Sequence, residues 1–399
     1  MRISTPEFIS LMAMLVATVA ISIDAMLPAL PDIALKLTAN NPNQVQLILS
    51  TFIGGMAIGT LVVGPLSDSF GRKNIIYAGA AIYITFSALC MFATNLETMI
   101  IARVFQGIGA AAPRIVSQAL VRDLYSGREM ARITSFIMII FSIVPAVAPL
   151  MGAGLISLFD WRAIFTVLIL FALVSTIWTG IRIQEPLRAE MRIPFQIKIF
   201  QAAFLEIISI GIVRISILTL IFSYGTLFTC ILLVQQVFDQ FFGRANSFPE
   251  WFAVIAAFSA SASFLNSMLV MKLGMRRLIS AALRVQIALS AFMLLMFWTG
   301  AITGNLGFGC FVFWVFSLFF QAGLTFGNLT ALAMEPLGHI AGTAASVISA
   351  LATLGSVFLA TIAGHFFDGT PLAMIISIAL FASFGALSAH LLRRFERKY

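Results

Sequence analysis

GPLSDSFGRK, residues 64–73, is a polar string set between two apolar runs, 46–66 and 75–93. It packs two glycines, an acid and two bases into one short turn. Gly71 permits a turn with positive φ, which an L side chain resists. Gly64 lets a neighbouring helix come close. Asp68 and Arg72 can pair with each other or with groups at nearby helix ends. A charged loop that merely orients the chain would account for a lone Asp or Arg, but not for the whole string.

Working outward, the apolar runs recur along the chain. The spans predicted are 8–30, 46–66, 75–93, 99–121, 133–158, 162–182, 214–237, 250–271, 278–299, 306–332, 341–365 and 371–392. Most approach or exceed the ~20 residues that cross a hydrocarbon core as a helix. A membrane β-barrel would show short alternating segments instead. The composition agrees, with 60% hydrophobic and 10% charged residues. A soluble domain carries about 25% charged residues. The first run continues past Ala20 through Asp24 to Leu30, so it reads as a first helix and not as a cleaved leader. Cys90, Cys230 and Cys310 each lie inside an apolar run, which favours core packing over a disulfide framework.

The net charge of +8 comes from short loops between the runs, so it argues for orientation and against nucleic-acid binding. With both termini in the cytoplasm, eighteen of the 24 Lys and Arg residues fall on the cytoplasmic side. Lys36, Arg162 and Arg244 alone fall on the far side, and Arg103, Arg114 and Arg284 lie within spans. Such asymmetry calls for an even number of crossings. In residues 195–213, Lys198, Gln201, Glu206 and Ser209 share one helical face. That pattern predicts an interfacial helix on the cytoplasmic leaflet, with a short thirteenth span as the alternative.

Two short echoes point to internal duplication. Phe-Gln-Gly at 105–107 returns as Phe-Gln-Ala at 320–322, and Gly-Arg-Lys at 71–73 returns as Gly-Met-Arg-Arg at 274–277. They predict an N-terminal six-helix bundle (1–182), a cytoplasmic linker (183–213) and a C-terminal six-helix bundle (214–399).

The string at 64–73 resembles the signature of the major facilitator superfamily, with Ser69 where a basic residue is usual. RVFQGIG (103–109) resembles the helix 4 motif of that family. PAVAPLMG (145–152) resembles its helix 5 antiporter motif, with Ala148 where many members have glycine. DAMLPALP (24–31), VRDLY (121–125), NSMLV (266–270) and AGTAAS (341–346) are similar to the bicyclomycin-resistance (Bcr/CflA) drug-efflux family. The resemblance implies an all-α, twelve-helix fold of two bundles in a bacterial inner membrane. It also implies a monomer that exports small amphipathic compounds against protons by alternating access. In the helix 5 motif, Pro145 and Pro149 each remove a backbone donor, and Gly152 admits a close neighbour. The expected signature residues are Gly64, Asp68, Gly71, Arg72, Lys73 and Asp123. Export of an endogenous metabolite or siderophore-like anion on the same fold is the first rival. A membrane enzyme or sensor is the remote one, since no metal or phosphate motif is present and no cofactor is expected.

Charge inside a span costs on the order of 2.5–3.5 kcal/mol, so each instance is a functional candidate. Asp24 lies ~9 Å from the outer end of the first span, and Arg103 lies ~6 Å from the same surface. The matching depths predict that the two meet. Burial and a neighbouring cation act on such a carboxylate in opposite senses, and the balance leaves it poised to exchange a proton. A static ion pair between the two helices is the alternative. Arg114, ~22 Å deep, contacts either a substrate or the cytoplasmic gate. Gln106 and Asn266 are read with it as lining the cavity or gate. The 38 Phe and 18 Met suit a cavity for lipophilic solutes, although most Phe would face lipid.

Overall fold

A computed structural model describes residues 3–38, 41–187, 190, 192 and 196–392. Arg2, Arg188, Arg393, Arg394, Arg397 and Lys398, counted in the charge asymmetry, lie outside the described residues, as does part of the 183–213 linker. The chain divides into two compact units, Met1–Ile197 and Lys198–Tyr399.

The first unit holds α1 (Thr5–Asp24), α2 (Leu30–Leu37), α3 (Leu47–Phe70), α4 (Arg72–Phe92), α5 (Leu96–Leu124), α6 (Gly127–Leu158) and α7 (Arg162–Arg182). The second begins with α8 (Ile197–Ser209) and α9 (Gly211–Gln236), followed by α10 (Phe248–Ser259) and α11 (Ser261–Leu273). It ends with α12 (Met275–Trp298), α13 (Gly304–Met334), α14 (Ala341–His365) and α15 (Leu372–Leu391). Among the described residues, eleven apolar helical runs are long enough to cross a membrane, and one of them, Gly304–His365, contains both α13 and α14. The turn Glu335–Ile340, opened by Pro336, separates those two passes, so the described residues form twelve passes.

Local chemistry places the helix ends. The Asn95 side chain accepts from the Thr98 N–H at 2.8 Å and starts α5. Pro28 has no N–H to offer the Asp24 carbonyl four residues back, so α1 ends there and continues as a short tight turn, Leu27–Ala29. The span expected over 250–271 is broken between α10 and α11. Ser259 and Ser261 bond the Ile255 and Phe258 carbonyls at 2.6 Å each and compete with the helix ladder. α8 is thirteen residues long and therefore too short to cross, at ~20 Å. Its Glu206 meets His339 at 2.8 Å.

In the first unit, α5 packs on α3, α4 and α1. A Cβ added at Gly107 would run into the Phe52 carbonyl, and one at Gly55 into that of Val104, so α3 and α5 touch backbone to backbone. In the second unit, α9 packs on α13, α14 and α15.

Candidate functional site

Arg103 is completely buried on α5. Its Nε donates to the Ile48 carbonyl at 2.9 Å, its Nη1 to Gln106 Oε1 at 2.7 Å, and its Nη2 to the Ser22 carbonyl at 3.1 Å. The guanidinium also lies 4.3 Å from the centre of the Phe52 ring. Neutral carbonyl dipoles and one aromatic face thus carry a charge that has no counter-ion among the described residues. Gln106 passes the network on, donating to Ser87 Oγ at 2.7 Å. Ser87 bonds the Tyr83 carbonyl at 2.6 Å, and the Tyr83 hydroxyl pairs with Ser22 Oγ at 2.6 Å. Four helices (α1, α3, α4 and α5) are joined through one arginine.

The expected Asp24–Arg103 pair does not form. Equal depth leaves the angle around the helix open, and two residues turn a helix by ~200°. Ser22 faces Arg103 and Tyr83, so Asp24 points away from both. Asp24 is only 6% exposed, and its carboxylate has no hydrogen bond or ion pair among the described residues. It sits on the break that Pro28 imposes.

Beside that break lies α6. A Cβ at Gly152 would collide with the Ala25 carbonyl, so α6 presses directly on the residue after Asp24. Ala148, Pro149 and Gly152 form the buried stripe of the motif, while Pro145 is half-buried. Both prolines stay within one continuous helix.

The signature string closes around Arg72. Gly71 adopts φ +96°, as the turn requires. Arg72 is buried and gathers Asp68 at 2.6 Å, Asp123 at 2.7 Å and Ser67 Oγ at 2.6 Å. Lys73 Nζ donates to the Gly180 carbonyl at 3.0 Å. The Gly64 carbonyl accepts from Ser67 Oγ at 2.8 Å. Glu185 went unrecognised in the sequence. Its two carboxylate oxygens accept from the Arg72 and Lys73 N–H groups at 3.0 and 2.9 Å, capping the start of α4 with negative charge. Nearby, Arg182 grips Glu7 with two bonds of 2.6 Å.

Arg114 is half-buried and bonds Met56 Sδ at 3.7 Å. It lies eleven residues, ~16 Å, along α5 from Arg103, and the structure does not bring the two together. Asn266, in the second unit, accepts from Asn328 Nδ2 at 2.7 Å. That unit has its own buried network around Gln321. Gln321 Oε1 accepts from Thr226 at 3.0 Å, and its Nε2 donates to Ser223 Oγ at 2.8 Å and to Thr325 Oγ1 at 3.1 Å. Ser22, Ser87, Ser223 and Thr226 were missed in the sequence. Their only signal there is a polar atom inside an apolar run, such as Tyr83 and Ser87 four residues apart. No group of three or more His, Cys, Asp or Glu among the described residues could hold a metal ion.

The Major Facilitator Superfamily profile matches residues 12–360. A bicyclomycin resistance protein homolog of Haemophilus influenzae is 32% identical over 355 residues, covering 87% of this chain and 86% of its own. Multidrug resistance protein MdtL of Citrobacter koseri is 37% identical over 147 residues, which is 37% of each chain. A solved D-xylose–proton symporter superposes across 98% of both chains with a TM-score of 0.74 at 15% identity, a likeness of fold.

Proposed function

This chain belongs to the Major Facilitator Superfamily and is a multi-pass membrane transporter, and we propose that it exports small amphipathic compounds from a bacterial cytoplasm in exchange for protons. Relatives named for bicyclomycin and multidrug resistance support the cargo class.

The observation that carries proton exchange is Asp24, a buried carboxylate without a cation. An isolated ionised carboxylate in a dry site is costly, so the group keeps its proton until the site opens or a positive charge arrives. A cationic or amphipathic compound reaching it stabilises the ionised form, and the proton leaves. Release of the compound reverses the preference. Arg103 takes no direct part in this exchange. Its charge is fully engaged by carbonyls and Gln106, so it serves as a fixed tie between α1, α3 and α5, two residues before the acid on α1. Gly152 and Pro149 transmit motion at Asp24 to α6, because their helix touches the backbone beside it. Alternating access then couples the protonation of Asp24 to exposure of the cargo.

The test uses purified protein. Cationic drugs are expected to release protons on binding, and anionic metabolites are expected to release none. Asp24→Asn is expected to abolish both the release and efflux driven by a pH gradient, while leaving thermal unfolding unchanged. Gradient-driven efflux that survives in the variant removes Asp24 from the coupling. Proton release by anionic metabolites instead transfers the cargo to the metabolite or siderophore-like class.

A further inference from the structure

A groove of about 290 Å³ runs between α12 and α13 on the surface of the second unit. Its floor is Met293 and Trp314, both buried, and its rims are Phe292 and Phe313, both exposed. Cys310 and Gly309 complete the wall. The lining is apolar throughout, except at Asn305 near one end. From Asn305 to Trp314 the groove follows α13 for ~14 Å, close to the half-thickness of a ~30 Å hydrocarbon core. Its volume falls at the bottom of the ~300–1,000 Å³ range of small-molecule pockets, which suits a chain more than a compact drug.

The polar end is not passive. Arg244 Nη2 donates to Asn305 Oδ1 at 2.6 Å, and the guanidinium lies 4.2 Å from the centre of the Phe308 ring. Of the three cations that the charge asymmetry puts on the far side of the membrane, Lys36 and Arg162 both reach Asp160, at 2.6 and 3.8 Å. Arg244 has no carboxylate partner among the described residues. A guanidinium held by an amide and an aromatic face keeps other N–H groups available for an anion. Trp298, highly exposed at the end of α12, marks the depth at which headgroups meet the chain region.

We propose that this groove is a site for an anionic phospholipid, with one acyl chain between α12 and α13 and its phosphate on Arg244. The occupant comes from the bilayer itself. The apolar length fits one leaflet of chain, and the unpaired cation sits where the headgroup begins. The site is independent of the transport cycle proposed above.

The test is photolabelling of the full chain in nanodiscs. The probe is phosphatidylglycerol carrying a diazirine midway along one acyl chain, and labelled peptides are mapped by mass spectrometry. Label is expected on α12 and α13 between Leu289 and Trp314. Phosphatidylcholine with the same chain is expected to label this site more weakly. Arg244→Ala is expected to lower phosphatidylglycerol labelling by about three- to tenfold and to erase the preference between headgroups. Gly309→Leu fills the groove. A Cβ there meets nothing within 4 Å, so the variant keeps its fold while labelling at the site is lost with either lipid. Equal labelling by both lipids in the unaltered protein overturns the proposal. So does labelling that Arg244→Ala leaves unchanged, or that persists in Gly309→Leu.

Discussion

In the first unit Gln106 stands three residues after Arg103, and in the second Gln321 stands three residues after Leu318. Both glutamines are buried, and both bind hydroxyls on neighbouring helices. One network contains a guanidinium with no acid, while the other is neutral throughout. The signature turns differ in the same sense. Gly71 and Gly274 both adopt positive φ. Arg72 then joins Asp68 and Asp123, whereas Met271 occupies the place of Asp68 in the second turn and is 88% exposed. Both units have a positive-φ glycine turn and a buried amide hub. The buried charge is concentrated in one of them. On the reading proposed here, proton chemistry belongs to the first unit, and the second supplies matched packing without it.

Giving the first hub the residue of the second is the most direct way to break this comparison. Arg103→Leu removes three charge-assisted hydrogen bonds, to the Ser22 and Ile48 carbonyls and to Gln106 Oε1, each worth roughly 1.5–3 kcal/mol. The variant is expected to lose efflux and to unfold at a clearly lower temperature in detergent. Unchanged melting would mean that the charged hub does not distinguish the units.

The turns offer a smaller contrast. Arg72→Ala removes the cation shared by Asp68 and Asp123, which are partly exposed, and leaves Asp123 only the 3.8 Å contact of Arg122, so the expected cost is about 1–2 kcal/mol. Met271→Asp, which copies the acid into the second turn, is expected to change stability by no more than about 0.5 kcal/mol. A double-mutant cycle on Arg72 and Asp123 separates their coupling from simple loss of packing.

Gln321→Leu sharpens the comparison from the neutral side. It removes three hydrogen bonds but no charge, and neighbouring hydroxyls can bond one another, as Ser223 and Thr325 already do at 3.0 Å. The expected loss is about 1 kcal/mol, with gradient-driven efflux retained. Abolished efflux would give the second hub a part in coupling.

The smallest effect is expected at Asp160, between α6 and α7. Its bond to Lys36 holds its carboxyl below the usual carboxylate range. The folded state therefore takes up this proton at lower pH than the unfolded chain. The tie contributes fully above the ordinary carboxylate range and is lost as pH falls through the lowered value. Lys36→Met is expected to weaken that acid-side dependence, leaving the part Arg162 supplies, with a midpoint shift of at most about 1–2 °C because both groups are exposed.

Much of this molecule was legible from residue order. The twelve apolar passes, the turns at Gly71 and Gly274 and the repeat of Gln106 at Gln321 follow from runs, glycines and rise per residue. The partners of those groups were less accessible. Glu185 reads as one charge in a linker until α4 is seen to start against it. Ser22 and Tyr83 read as ordinary members of apolar runs until Arg103 draws them together.

Hydropathy and charge act residue by residue along the membrane normal, so linear order is enough to set depth. Rotation about each helix axis depends on contacts between segments far apart in the chain. Rise per residue counts Asp24 and Arg103 to matching depths. That they face different neighbours was decided by Gly152 closing on the Ala25 carbonyl, and by Ile48 and Ser22 turning their carbonyls toward the guanidinium.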